Sequence, residues 1–121
     1  MPKQKILVAD DSPTALGLIQ AALEEEYQVI TASDGQEALE KVLREHPALV
    51  LLDIEMPKVN GFVVCQKLKQ DPKTKAIPIV MLTVRDKESD KQWGLGMGAD
   101  EYLTKPFEPD ELLAIVKERL K

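Results

Sequence analysis

Cysteine and histidine are almost absent from this sequence of 121 residues, which contains one of each. With Cys65 alone, the chain forms no internal disulfide and no cysteine-based metal cluster, and a reducing cytoplasm is the expected location. With His46 alone, sites built from several histidines and Ser-His-Asp arrangements have little to draw on. Redox, zinc-type and serine-hydrolase chemistry are therefore disfavoured at the outset.

Positive charge and long hydrophobic runs are also scarce. Basic residues number 16 against 21 acidic ones, for a formal net charge of −5. Such a chain is not expected to bind nucleic acid through its phosphates or to dock on an anionic membrane. The longest apolar run, Ala48 to Leu52, is far shorter than the ~20 residues of a membrane-spanning helix, and Ile6–Ala9 is too short for a signal peptide. We predict one domain over residues 1–121 with no separate output domain.

Short apolar runs alternate with amphipathic stretches along the chain. The apolar runs predict strands at Lys5–Ala9, Val29–Ala32, Ala48–Leu52, Ile77–Leu82 and Glu101–Thr104. The amphipathic stretches predict helices from Pro13 to near Glu26, from Asp34 to before Pro47, from Asn60 through Leu68, over 86–97, and from Pro109 to the end of the chain. Ser12, Asp34 and Asn60 are suitable N-cap residues. Strict alternation of this kind indicates an α/β protein with a parallel sheet and helices on both faces.

Polar side chains follow four of the predicted strands. Asp10 and Asp11 follow the first strand, Asp53 the third, Thr83 the fourth and Lys105 the fifth. Parallel strands bring these ends to one edge, where ligands of such sheets bind. Each pair of carboxylates about 4 Å apart would repel by roughly 4 kcal/mol at an effective dielectric near 20. A hard divalent cation, Mg²⁺ for preference, would offset that repulsion.

The same edge therefore has the groups that phosphoryl chemistry needs. A cation, the Lys105 ammonium and the Thr83 hydroxyl would bind phosphoryl oxygens, and a carboxylate would attack phosphorus. Taken alone, Asp10 and Asp11 would be explained as a favourable charge at a helix N-terminus. Their expected convergence with Asp53 and Lys105 favours the metal-site interpretation.

Several short motifs occur in a defined order along the chain: Asp10-Asp11, Asp53, Met56-Pro57, Asn60-Gly61, Thr83, Gly98-Ala99 and Lys105-Pro106-Phe107. In these motifs, and over essentially its whole length, the sequence resembles the receiver domain of two-component response regulators, most of all the stand-alone, chemotaxis-type members. The resemblance implies a flavodoxin-like fold, a doubly wound five-stranded parallel sheet in the order 2-1-3-4-5.

The resemblance also implies a role for individual residues of the site. Asp53 would be the phosphoacceptor. Asp11 and Asp53 would bind Mg²⁺ directly and Asp10 mainly through water, while the backbone carbonyl of Glu55 would complete the protein's share of the ligands. Lys105 would pair with a phosphoryl oxygen, and the peptide bond between Lys105 and Pro106 is expected to be cis.

A switch and its partners follow from the same resemblance. Thr83 would move toward the phosphoryl group, and Tyr102 would turn inward as the switch aromatic. The surface formed by the predicted helix over 86–97, the fifth strand and the last helix would then bind a downstream target protein. The phosphoryl donor would be a sensor histidine kinase, a histidine phosphotransfer protein or a small phosphodonor. The domain would have no enzymatic activity beyond its own phosphorylation and dephosphorylation. It would act in chemotaxis, motility or a phosphorelay. It would be a monomer, and phosphorylation could promote a dimer.

Three other interpretations stay open from the sequence. A metal-dependent phosphatase of the haloacid dehalogenase kind would have an acid two residues after its nucleophile, where this chain has Ser12. A flavodoxin-type carrier would need a phosphate-binding loop rich in Ser, Thr or Gly in place of Asp10-Asp11-Ser12-Pro13. A receiver domain excised from a longer regulator would have the same sequence features as a complete protein.

Overall fold

The sheet has the predicted parallel topology. The structure, a computed structural model, describes residues 3–54, 56, 58–83 and 98–120, and at Thr83 it describes the backbone alone. Its strands are β1 (Lys5–Ala9), β2 (Gln28–Ala32), β3 (Leu49–Asp53), β4 (Ile79–Thr83) and β5 (Glu101–Thr104). Its helices are α1 (Pro13–Leu23), α2 (Gly35–Glu45), α3 (Gly61–Gln70) and α4 (Pro109–Arg119). Every strand pair is parallel, in the order β2-β1-β3-β4-β5, which confirms the predicted fold class. The helix predicted over 86–97 lies outside the described residues.

Two hydrophobic clusters hold helices against both faces of the sheet. Successive side chains of a strand point to opposite faces, so Leu7 and Leu52 join one cluster while Val8 and Leu51 join the other. The first cluster packs α2 and α3 on one face, and the second packs α1 and α4 on the opposite face. Strand β3 is buried at every position, as its unbroken apolar run predicts.

Side-chain caps begin three of the helices directly after a strand or its loop. Ser12, Asp34 and Asn60 each accept a hydrogen bond from the backbone N–H three residues on, at 3.2, 2.8 and 3.1 Å. These caps confirm the sequence interpretation and satisfy N–H groups that a helix leaves without partners. They also fix where the chain turns away from the carboxyl edge of the sheet.

The predicted end of α1 and the predicted start of β4 were wrong by three and two residues. Helix α1 ends at Leu23 rather than near Glu26, because the last turn tightens: the N–H groups of Glu26 and of the buried Tyr27 both donate to the Leu23 carbonyl, at 3.1 and 2.9 Å. Strand β4 begins at Ile79 rather than Ile77, since the Ile77 carbonyl accepts a hydrogen bond from a lysine side chain instead of a neighbouring strand. Among the described residues, no helix combines the length and apolar character required to cross a membrane.

Candidate functional site

The carboxyl edge of the sheet brings together the predicted site residues that the structure describes. Asp10 directly follows β1, Asp53 is the last residue of β3, and Lys105 directly follows β5. The register places Asp53 opposite Leu82 of β4. Because the strands are parallel and end at similar depth, three segments distant in sequence deliver their polar groups to one place.

Three carboxylates form a tight cluster at this edge. One oxygen from each of Asp10, Asp11 and Asp53 lies within 4.8 Å of the others. The Asp10 side chain is 1% exposed and Asp53 is 8% exposed, whereas Asp11 lies at the exposed mouth. Like charges this close, two of them buried, repel strongly unless positive charge offsets them.

Lys105 supplies positive charge to this cluster. Its Nζ lies 2.7 Å from Asp10 Oδ2 and 3.7 Å from Asp53 Oδ1. The Lys105–Pro106 peptide bond is cis, as the resemblance implies. Within the described part of the chain, this single ammonium faces three carboxylates, so the cluster keeps a surplus of negative charge.

Asp10 is held in place by both of its carboxylate oxygens. Oδ2 accepts from Lys105, and Oδ1 accepts the backbone N–H of Ser12 at 2.9 Å. This bond to the residue two positions on is an Asx turn, and the Asp-x-Ser spacing was the signal for it that our sequence analysis did not use. The turn ties the acid cluster to the start of α1, because Ser12 is also the N-cap of that helix.

The donor set fits a hard divalent cation. Its ligands are all oxygens, they carry surplus negative charge, and one of them, Asp11, lies exposed where water can complete the coordination shell. Asp10, Asp11 and Asp53 could therefore hold Mg²⁺. Glu55, whose carbonyl is a predicted ligand, lies outside the described residues.

The two predicted switch residues are placed less completely. Thr83 ends β4 with its backbone opposite Thr104, but its side chain is outside what the structure describes. Tyr102 lies in β5 and packs, partly buried, against the cluster of α2 and α3. Its switch role stays a prediction, as does the partner surface that includes the predicted helix over 86–97.

An apolar groove borders the site and was missed by the sequence analysis. It lies between α1 and α4, has a volume of about 490 Å³, and is lined by Leu18, Ala22, Phe107, Pro109 and neighbouring residues. Leu18 is 69% exposed. Lys105 lines the groove as well as the acid cluster, so the two are continuous. The missed signal is the absence of any charged residue in α1.

Fold and site together define a doubly wound α/β domain with an acidic, cation-type pocket at the carboxyl edge of its sheet. The family model of the response regulator receiver domain matches residues 6–117. The chain belongs to this family, whose members are the receiver domains of two-component response regulators.

Relatives and solved structures agree with this assignment. The chain is 50% identical over 119 residues to the alkaline phosphatase synthesis transcriptional regulatory protein PhoP of Bacillus subtilis, covering 98% of this chain and 49% of that protein. It is 42% identical over 113 residues to protein PilH of Pseudomonas aeruginosa, covering 93% of each. The chain spans about half the length of the transcriptional regulators that it matches.

Two solved structures show the same fold. Chemotaxis protein CheY4 of Vibrio cholerae superposes with a TM-score of 0.90 at 33% identity, covering 96% of this chain and 98% of that one. The receiver domain of sensor histidine kinase PA1611 from Pseudomonas aeruginosa superposes with a TM-score of 0.90 at 28% identity, covering 98% of each chain. That receiver domain was solved with a magnesium ion coordinated in its active-site cleft.

Proposed function

We propose that this domain is a phosphorylation switch whose phosphoacceptor is Asp53. The observation that carries the proposal is the position of the Asp53 carboxylate, buried within the three-acid cluster and 3.7 Å from the Lys105 ammonium. A carboxylate oxygen of Asp53 attacks the phosphorus of a phosphohistidine or of a small donor such as acetyl phosphate. The new O–P bond forms as the donor's N–P or O–P bond breaks, and the electron pair leaves with the donor.

Magnesium binding by the same cluster is part of the proposal. Asp11 and Asp53 would hold the ion directly and Asp10 through water, since both Asp10 oxygens already accept hydrogen bonds from the protein. The Glu55 carbonyl is proposed from the resemblance alone. The bound ion would supply positive charge for the oxygens of the transferred group. Magnesium in the cleft of the PA1611 receiver domain supports this assignment.

The switch would follow from the new charge at Asp53. A phosphoryl group adds about −1.5 to −2 charges, and Lys105 together with the Thr83 hydroxyl would bind its oxygens through charge-assisted hydrogen bonds. We propose that Tyr102 then turns inward and changes the surface that a target protein binds. Reversing a 99:1 ratio of inactive to active states requires about 5.5 kcal/mol in favour of the active state.

The proposed phosphoryl donor is a sensor histidine kinase or a histidine phosphotransfer protein. It would act in the cytoplasm on this chain, which we propose to be one receiver domain over residues 1–121. Any such partner must bring its phosphohistidine to Asp53, so it must contact the surface around the carboxyl edge. The largely apolar groove at Leu18 supports docking there, because Lys105 is shared by the groove and the acid cluster. The proposal includes a monomer that phosphorylation can promote to a dimer, and it includes neither nucleic-acid binding nor membrane insertion by this domain.

Intact mass spectrometry after incubation with acetyl phosphate tests the proposal. Wild type is expected to gain a single phosphoryl adduct with Mg²⁺ and none with EDTA, and Asp53→Ala is expected to gain none. Asp110→Ala is the matched control, because Asp110 is exposed at the start of α4 and should leave the adduct intact. Leu18→Asp should also keep the adduct from acetyl phosphate while slowing transfer from a phosphorylated partner. An adduct that persists in Asp53→Ala would refute the assignment.

A further inference from the structure

The start of α2 lies directly against the chain segment that follows Asp53. Gly35 is the first residue of α2, and a Cβ at this position would overlap the carbonyl oxygen of Val59. The preceding residue, Asp34, places Oδ2 3.6 Å from Nζ of Lys58 while its Oδ1 caps the helix. The first turn of α2 therefore contacts two consecutive residues of the segment between β3 and α3.

The same segment also contacts the backbone of Asp53. The N–H of Gly61 donates to the carbonyl of Ile54 at 2.8 Å, and a Cβ on Gly61 would overlap the Asp53 carbonyl oxygen. Val59 and Gly61 are separated by Asn60, the N-cap of α3. A displacement of Val59 would therefore shift Gly61, two residues further on, and with it the backbone of Asp53 that positions its carboxylate.

The backbone of this segment is held in a costly conformation. Lys58 has a φ of 68°, in the left-handed region that residues with a side chain rarely adopt. Such a conformation persists only where the surroundings enforce it. Among the described residues, the close approach of Gly35 to Val59 is part of those surroundings, whereas the ion pair between Asp34 and the exposed Lys58 adds little.

We propose that Gly35 is a positioning residue for Mg²⁺ binding, acting through Val59 and Gly61 on Asp53. The inference rests on the proposed function, because it assumes that Asp53 is a metal ligand. Gly35 itself contacts Val59 rather than the acid cluster, and its contribution is the absence of a side chain. Residues that orient metal ligands without touching the metal typically change affinity by about 10-fold to 100-fold when they are altered.

Isothermal titration of Mg²⁺ into Gly35→Ala tests this inference. The dissociation constant is expected to rise about 10-fold relative to wild type. Gly17→Ala is the matched control, because a Cβ at that helical glycine has nothing within 4 Å and should leave Mg²⁺ affinity unchanged. A merely structural role would lower the unfolding temperature of Gly35→Ala without changing the affinity of its folded fraction. Phosphorylation by acetyl phosphate should recover in Gly35→Ala when Mg²⁺ is saturating.

A measurement on wild type keeps the inference testable if Gly35→Ala does not fold. Coupling between two sites is reciprocal, so Mg²⁺ should slow hydrogen exchange of the Glu37 and Ala38 amides in the first turn of α2. The Leu112 amide in the first turn of α4 serves as the internal control. Equal slowing at all three amides, or equal Mg²⁺ affinity of Gly35→Ala and wild type, would overturn the inference alone. Failure of wild type to bind Mg²⁺ would instead overturn the proposed function and, with it, this inference.

Discussion

Two lysine–aspartate pairs lie at opposite edges of the sheet and are alike in distance and in lysine exposure, although their aspartates are 1% and 33% exposed. At the carboxyl edge, Lys105 Nζ is 2.7 Å from Asp10 Oδ2. At the amino edge, Lys69 Nζ is 2.8 Å from Asp100 Oδ2. The two lysine side chains are 20% and 17% exposed. Neither distance nor lysine burial therefore distinguishes a pair that serves a site from a pair that supports the fold.

The amino-edge pair forms a closed hydrogen-bond network. Besides Asp100, the Lys69 ammonium donates to the carbonyls of Ile77 at 2.8 Å and Lys75 at 3.2 Å. Asp100 Oδ2 also accepts the backbone N–H of Ile79 at 2.8 Å. One ammonium and one carboxylate balance each other in this network, which joins the end of α3 to the starts of β4 and β5.

The carboxyl-edge pair has the opposite balance. Within the described residues, the Lys105 ammonium faces Asp11 and Asp53 in addition to Asp10, so negative charge remains in excess. Local charge balance, rather than the geometry of the pair, distinguishes the two edges. A divalent cation would offset the surplus charge of the first arrangement, whereas the second has no such surplus among the described residues.

The largest expected effect is that of Lys69→Met on stability. The substitution keeps the apolar stem but removes the ammonium from two carbonyls and from the Asp100 carboxylate, which retains the Ile79 N–H, and this should cost about 3 kcal/mol. Urea unfolding should show the same loss with and without Mg²⁺. Lys67→Met, two residues earlier in the same helix and exposed, is the control and should stay within about 0.5 kcal/mol of wild type. A loss that Mg²⁺ repaired would mean that the two edges are not independent.

Lys105→Met should be less destabilising and should respond to metal. Without Mg²⁺, the buried Asp10 carboxylate loses its cation beside two other carboxylates, and we expect a loss of about 2 kcal/mol. Saturating Mg²⁺ should restore most of that loss, because a more negative site binds the cation more tightly and binding stabilises the folded state. Unfolding temperatures measured across a Mg²⁺ series would show it. Equal shifts of the unfolding temperature of Lys105→Met and Lys69→Met with Mg²⁺ would contradict the distinction between the two edges.

Much of the carboxyl edge could be predicted from sequence because chain topology alone creates it. Asp10, Asp53 and Lys105 each stand at the end of an apolar run, and parallel pairing brings such ends together without any knowledge of side-chain contacts. The fold was predictable for the same reason, since the period of the hydrophobic pattern reports helices and strands locally.

The amino-edge network had no comparable signal. Lys69 and Asp100 are 31 positions apart, and a lysine in the last turn of a helix is ordinarily explained by the helix dipole. The support of Asp53 by Gly35 is hidden in the same way, because a missing Cβ has meaning only once Val59 is placed beside it. The switch role of Tyr102 stays a prediction, because it depends on a difference between two side-chain conformations.

Cys65 offers the smallest and most local test of the comparison. Burial raises the pKa of this thiol from 9.0 to about 11, while the nearby Lys69 lowers it and Asp100 raises it. Between these pKa values the unfolded thiol ionises and the folded one does not, so stability should fall as pH rises, by about 1 kcal/mol between pH 8 and pH 10. Cys65→Ala should lack this component of the pH dependence, and the difference between the two proteins in urea unfolding isolates it. Removing the Lys69 charge should extend this component to higher pH, whereas Lys105→Met should leave it unchanged, because the charges that act on this thiol belong to the amino-edge pair rather than to the carboxyl-edge pair. An equal response to both substitutions would show that the two edges share one electrostatic environment.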